Sequence, residues 1–266
     1  DAAGDTDRKA QQAGDLGPAL AAGGEGHHLR DGGFSFDGPF GTFQQGQLQR
    51  GYKVYKEVCA ACHSARFMYF RNLGEPGGPE FSAEEVKAIA ASFEVQDGPN
   101  ADGEMFMRPG LASDRFPSPF PNEQAARVAN NGAYPPDLSL ITKARHNGGA
   151  YVASLLTGYQ EQPAELLKKF PDAKTPDGLY YNPYFANLNL AMPAPIASDD
   201  QVAYSDGTKA TVDQMSKDVS AFLTWAAEPK LEARKQAGWA ALLFLLIFTG
   251  LAYLSYRTIW AEKKKH

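Results

Sequence analysis

Cysteine occurs twice in the 266 residues, and both copies fall in one pentapeptide, Cys59-Ala-Ala-Cys-His63. A framework of structural disulfides is therefore impossible, because the one available bridge would close a tiny loop and staple nothing. The spacing matches attachment of a c-type haem. Two thiols, at Cys59 and Cys62, add across the vinyl groups on one edge of a porphyrin, and the adjoining His63 imidazole reaches the iron. The competing chemistries fit poorly. A structural zinc site requires four ligands, and no second Cys/His pair exists. A thioredoxin-type pair sits in a strand-to-helix unit, whereas the residues before Cys59 read as a helix.

One covalent haem c would also supply what the rest of the chain lacks. Pro117, Pro119, Pro121, Pro135, Pro136, Pro183, Pro193 and Pro195 interrupt any long sheet or bundle. A haem's apolar faces can serve as core for such a loop-rich chain. Helices are expected in short pieces. Leu48 to Val58 leads into the cysteine motif, with Leu48, Tyr52 and Tyr55 at helical spacing. Ser82-Ala-Glu-Glu85 is a capping box opening a helix through Phe93. Asn122 caps a third helix, Glu123 to about Asn130, and Tyr151 to Thr157 suggests a short fourth. Thr211-Val-Asp-Gln214 opens another, with Val212, Met215, Val219, Phe222 and Leu223 along one face and Pro229 after its end. The expected fold is mainly α, a loop-rich c-type cytochrome fold around one covalent haem, plus one C-terminal transmembrane helix.

That helix is read from 21 uncharged residues between Lys235 and Arg257. As a helix they span roughly 31 Å, about the thickness of a bilayer's hydrocarbon core. Trp239 stands at one end and Tyr253, Tyr256 and Trp260 at the other, where amphipathic rings prefer the interface. Arg257, Lys263, Lys264 and Lys265 follow the span, while Lys230, Arg234 and Lys235 precede it beside Glu228 and Glu232. The tail is the more positive side and is expected to be cytoplasmic, which puts the preceding residues in the periplasm or an equivalent space. Three regions follow. Residues 1–33 form a flexible Gly/Ala-rich segment, 34–229 a haem c domain, and 230–266 the membrane anchor with its short basic tail. His27 and His28 lie in the first and read as solvated. The start at Asp1, without a methionine or an apolar leader, reads as a mature form whose export signal has been removed, or as a recombinant form. A net charge of −5 argues against nucleic acid as a partner and allows attraction to a basic protein. No glycine-rich phosphate loop and no Ser/His/Asp signature is present.

The iron's second axial position separates an electron carrier from a haem that binds gas or peroxide. Met68 is too near His63 to reach the opposite face easily, Met215 falls on an apolar helical stripe, and Met105 and Met107 sit in an acidic, Gly-rich stretch. Met192, in Asn189-Leu-Ala-Met-Pro-Ala-Pro195, lies in a loop stiffened by two prolines. Position alone leaves ligation by Met192 level with ordinary packing, and His146 is its main rival.

Several ordered motifs resemble the cytochrome c1 family, whose members are the haem c subunits of cytochrome bc1 complexes (ubiquinol–cytochrome c reductases). They are Cys59-Ala-Ala-Cys-His-Ser64, Ala129-Asn-Asn-Gly-Ala-Tyr-Pro-Pro-Asp-Leu-Ser139, Lys143-Ala-Arg-His146, Leu155-Leu-Thr-Gly-Tyr159, Tyr181-Asn-Pro-Tyr-Phe185, Ala191-Met-Pro-Ala-Pro195 and Trp225-Ala-Ala-Glu-Pro229. The resemblance runs from about Phe34 to the C-terminus. It implies His63 and Met192 as axial ligands, Arg145 and Tyr151 at a haem propionate, and Asn130, Pro135 and Pro136 packed on the haem. Some bacterial relatives carry a further cysteine pair in a loop before the axial methionine, and this chain has none.

What the resemblance implies for function is one-electron transfer from a Rieske iron–sulfur protein to cytochrome c, beside cytochrome b, in a dimeric multi-subunit complex embedded in lipid. No side-chain proton transfer is needed, so the subunit alone would not be an enzyme. Asp97, Asp102, Glu104, Asp199 and Asp200 offer attraction for a basic cytochrome c. The alternative is a membrane-anchored haem c enzyme or sensor with an open axial site, such as a peroxidase.

Overall fold

A computed structural model describes Leu29 and residues 33–263. The expectation of a flexible segment, with His27 and His28, falls outside the described residues apart from Leu29 and Gly33. The described chain is mainly helical. Its helices are α1 (Gln45–Glu57), α2 (Ala83–Ala91), α3 (Glu123–Ala129), α4 (Gly148–Thr157), α5 (Ala164–Lys169), α6 (Val212–Ala227) and α7 (Leu231–Lys263). Two small antiparallel hairpins join them. In one, β1 (Glu94–Asp97) pairs with β2 (Phe106–Pro109), and in the other, β3 (Tyr180–Tyr181) pairs with β4 (Asn189–Leu190).

Capping chemistry sets most helix starts. Ser82 Oγ accepts the Glu85 amide at 3.2 Å while Glu85 Oε2 accepts the Ser82 amide at 2.8 Å, a complete capping box. Asn122 Oδ1 accepts the Ala125 amide at 2.9 Å to open α3. Thr211 Oγ1 caps α6 through the Gln214 amide at 3.1 Å, but Gln214 turns its side chain to Asp218 instead of completing the box. Helix α2 stops at Ala91, short of the expected Phe93, because Ser92 hydrogen-bonds back to Ile89 O and Phe93 leads into the first hairpin. Helix α4 begins three residues before Tyr151, after Asn147 adopts left-handed backbone at φ 54°. The hairpins and α5 carry no strong periodic pattern and are not anticipated from the sequence.

The core is built on α6, which packs against α1 on one side and α4 on another. Leu48, Tyr52, Val54 and Tyr55 of α1 are buried against Met215, Val219, Phe222 and Leu223 of α6. Rings tile the contact: Tyr52 meets Phe222 edge-on at 5.7 Å, and Tyr55 stacks on Phe116 at 5.9 Å. Met215 is thus core, as its stripe predicts. The two helices approach backbone to backbone. A Cβ on Gly51 would lie 2.0 Å from the carbonyl oxygen of Asp218. Beside that contact the fully buried Asp218 carboxylate accepts from Arg50 Nε at 2.8 Å, Gln214 Nε2 at 2.8 Å and Gln47 Nε2 at 3.2 Å. Burying this charge is tolerable because each oxygen is paired.

Pro229 breaks the chain between α6 and α7. Among the described residues α7 is the one helix long and apolar enough to cross a membrane, with mean hydropathy 2.0 over its apolar stretch. Its first turns are clasped by the 34–43 segment. Lys235 Nζ donates to Phe36 O at 2.7 Å and Gly41 O at 2.9 Å, and Glu232 Oε1 accepts the Phe43 amide at 2.7 Å. Arg234 pairs with Glu228, which also faces Lys143 at 3.5 Å.

Two substitutions test the α1–α6 crossing. Gly51→Ala should cost more than about 2 kcal/mol of unfolding free energy, since neither backbone can yield to the added methyl. Asp218→Asn should cost about 2 kcal/mol by weakening the buried charge-assisted bonds from Arg50, which keeps only the exposed Asp206 as a carboxylate partner. Denaturant titration followed by far-UV circular dichroism reads both, and midpoints equal to the parent's would refute the account.

Candidate functional site

Helix α1 delivers the cysteine segment directly. Its axis runs out at Glu57, and a 3-10 turn, Cys59–Ala61, folds the chain back. Cys59 O accepts the amides of both Cys62 (3.1 Å) and His63 (2.9 Å), which brings the three functional side chains onto one tight turn. The two thiols are not bonded to each other. Burial, with the neighbouring Cys62 second, pushes the Cys59 thiol up to about 12. That is the opposite of the depressed value an exchange-active cysteine requires. Among the described residues no group of three or more His, Cys, Asp or Glu gathers as a metal-ion site.

His63 is oriented by the loop that follows α3. Its Nδ1 lies 2.8 Å from the carbonyl oxygen of Pro136. A carbonyl only accepts, so Nδ1 carries the proton and Nε2 keeps its lone pair. Burial lowers the imidazole's pKa, outweighing the Pro136 carbonyl, which favours the charged ring. A neutral ring with a fixed tautomer is the form that binds iron.

The Pro136 loop is itself held by Asp137. Its Oδ2 accepts from Ser64 Oγ at 2.8 Å and the Arg66 amide at 2.9 Å, and its Oδ1 accepts the Ser139 amide at 2.9 Å. The Leu138 amide donates to Ser64 O at 2.8 Å and the Phe67 amide to Ser139 Oγ at 3.1 Å. Burial acts to raise the Asp137 pKa, but these donors, the Arg66 amide foremost, hold it below the usual carboxylate value. Asp137 lies within the 129–139 motif but is not among the expected site residues. The signal was there, an Asp next to two prolines, but its partners lie some seventy positions away.

Met192 is held from a second direction. The Tyr159 hydroxyl donates to its carbonyl oxygen at 3.0 Å. Burial raises the Tyr159 phenol well above its ordinary range, so it stays a donor. The hairpin preceding Met192 is tied to the end of α4 through the buried Asn182, whose Nδ2 donates to Leu155 O at 2.8 Å and whose amide donates to Leu188 O at 2.8 Å. A Cβ on Gly158 would stand 2.4 Å from the Tyr184 ring, so only glycine lets the two segments meet. The Leu155–Tyr159 and Tyr181–Phe185 motifs are thus partners in one scaffold for the Met192 loop. Met192, Cys59 and Tyr151 are all half-buried against the same hydrophobic cluster.

The remaining expected site residues are placed as follows. Arg145 and His146 are exposed in the turn before α4. Arg145 Nη1 donates to Ala144 O at 3.0 Å and makes no ion pair among the described residues. Asn130 caps the end of α3 by donating to Ala126 O at 2.7 Å. Pro135 is half-buried, and Pro136 acts through its carbonyl. Of the acidic residues, Asp97 is paired with Arg108, and Asp199 accepts the Val212 amide at 2.8 Å. The donor set fits a covalent haem: two free thiols and an imidazole on one turn, and a thioether in a separately braced loop against the same core.

The sequence matches the model of the Cytochrome C1 family over residues 34–263. It is 52% identical over 241 residues to "Cytochrome b/c1" of Bradyrhizobium diazoefficiens, covering 86% of this chain and 35% of that protein. The chain therefore spans about a third of that relative's length. It is 50% identical over 229 residues to "Cytochrome c1-2, heme protein, mitochondrial" of Solanum tuberosum, covering 85% of this chain and 83% of that one. With "Cytochrome c1" of Rhodospirillum rubrum it shares 44% over 251 residues, 91% of this chain and 90% of the other.

Asp137→Asn should destabilise the folded protein at pH 7 by about 2 kcal/mol through weakened charge-assisted bonds. A carboxylate held low in the folded state contributes stability that is present above about pH 4 and lost as pH falls through its folded value. The gap between parent and variant should therefore close on acidification. Unfolding curves across pH check this, and a gap independent of pH would contradict it.

Proposed function

The chain belongs to the cytochrome c1 family, and from that membership we propose a one-electron relay built on haem c, with its head outside the membrane. Cys59 and Cys62 would hold the haem through thioethers, and His63 and Met192 would ligate its iron. Once bound, the haem accepts and releases a single electron. Everything else falls to the protein's own residues. Pro136 keeps the His63 lone pair aimed, and Asp137 keeps Pro136 in place. Tyr159 and Asn182 brace the Met192 loop, so no prolonged reorganisation accompanies a change of charge at the site. Arg145, free of any carboxylate among the described residues, suits a propionate, and we assign Tyr151, in the first turn of α4, to the same group. Asn130 and Pro135 support the loop that packs on the haem.

The observation that carries this reading is the bond from His63 Nδ1 to Pro136 O, which leaves the lone pair of the other ring nitrogen available to a metal. We assign the electron source to a Rieske iron–sulfur protein and the acceptor to cytochrome c, with cytochrome b as the membrane partner in a dimeric complex. The charge pattern supports a periplasmic head and a cytoplasmic C-terminus. On the near side Glu228, paired with Arg234, and Glu232 offset two of the three cations Lys230, Arg234 and Lys235, whereas Arg257 and the lysines at 263–265 give the far side the larger positive charge. Residues 34–229 then form the haem domain and 230–266 the anchor.

Replacing Met192 by Leu should abolish the weak far-red sulfur-to-iron band of the oxidised protein, lower its reduction potential and let the reduced form bind carbon monoxide. Tyr159→Phe should retain the band but cost about 1 kcal/mol of stability. A parent protein that already binds carbon monoxide, or a potential unmoved by Met192→Leu, would support the open-site enzyme or sensor instead.

A further inference from the structure

The turn at residues 36–41 takes no part in the site described above, yet it holds an aromatic ring out from the head. Phe40 is 76% exposed, and its ring stacks on Trp239 at 4.8 Å with planes 3° apart. The Trp239 indole donates to Pro39 O at 3.3 Å, and Pro39 is exposed as well. The turn is stiff. The Asp37 amide donates to Phe34 O at 3.0 Å, the Thr42 amide to Ser35 O at 3.0 Å, and the Phe34 amide to Asp37 Oδ2 at 3.1 Å. A Cβ on Gly41 would sit 2.1 Å from Asp37 O, so the chain closes on itself too tightly for any other residue. Lys235 fastens the turn to α7 from both sides through Phe36 O and Gly41 O.

Its height follows from the helix. Lys235 is the last charge before the uncharged run, and Trp239 lies four residues on, an advance of about 6 Å. A ring stacked flat on Trp239 therefore sits at the level where charge has ended and hydrocarbon begins. Leu242, Leu243 and Leu246 follow Trp239 at helical spacings of three, four and seven, all more than half exposed. The aromatic pair thus passes without a polar break into the apolar flank of the anchor. Aromatic side chains are favoured at this boundary.

We propose that the 37–41 turn is a second membrane contact of the head, with Pro39 and Phe40 entering the headgroup–acyl boundary beside Trp239. The occupant of this face is lipid, and continuity with the anchor's apolar flank is what argues for it over a protein neighbour. The inference rests on α7 being the membrane span.

The test uses the full haem-loaded chain in phosphatidylcholine nanodiscs, with an unchanged haem spectrum as the check on folding. With Cys59 and Cys62 held in thioethers, an introduced cysteine is the reactive thiol for a nitroxide label. Phe40→Cys and Pro39→Cys provide two independent positions on the turn. Asp102→Cys in the hairpin is the aqueous reference, and Leu246→Cys is the reference within the span. The ratio of oxygen to aqueous nickel accessibility should be several-fold higher at 40 and 39 than at 102, and lower than at 246. Ratios at 39 and 40 equal to that at 102 overturn the contact. Shielding from both reagents, seen once the protein is in its native membrane complex, overturns it in favour of a subunit. A water-like ratio at 246 would sink the span itself, and the contact with it.

Discussion

The close crossing of α1 and α6 at Gly51 is the constraint from which the site takes its geometry. Helix α1 ends where the cysteine turn begins, and the His63 amide is bonded directly to the Cys59 carbonyl at its start. On its other flank α6 receives α4, whose last residues anchor the hairpin and the loop that carry Met192. Two candidate ligands 129 positions apart in the chain are thereby referred to one helix. Any shift of α1 on α6 would move His63 against Met192, and the interlocked pair of Gly51 with Asp218 and Arg50 resists that shift.

Away from the helices, order is supplied by a few polar side chains that each satisfy several backbone groups. Asp137 gathers the segment after His63 onto the Pro136 loop. Asn182 joins a two-residue hairpin to α4. Gln162 bonds both Ala173 O at 2.6 Å and the Thr175 amide at 2.9 Å to close the loop after α5. One such bond contributes about 1 kcal/mol. Collected on single residues they give irregular backbone the definition that a sheet would otherwise provide, and they explain how a chain so rich in proline holds a ligand loop in register.

Much of this was legible in the sequence where the determinants are local. Capping residues Ser82 and Asn122 announced their helices, the 212–223 stripe announced the buried face of α6, and the uncharged run announced α7. The cysteine turn was legible because its chemistry fixes its spacing. What could not be read was long-range. Nothing in the neighbourhood of Asp137, Tyr159 or Asn182 says which distant backbone group each will bind, and two-residue strands such as β3 and β4 have no period to detect. The resemblance orders the motifs along the chain, whereas in the fold the 155–159 and 181–185 motifs are one packing unit. Asp97 and Asp199, offered as attraction for a basic cytochrome c, also have local partners, in Arg108 and in the amide at the start of α6.

Only Glu228, Pro229 and Lys230 separate α6 from α7, and the joint is closed by Lys235, Glu232 and Glu228 on three sides. Rotation about this joint would have to break the contacts of Lys235, Glu232 and Glu228. On the proposed reading of α7 as the span, the same contacts would tie the height and tilt of the head to the post that carries it. The proposed relay would then leave the travelling to its redox partners.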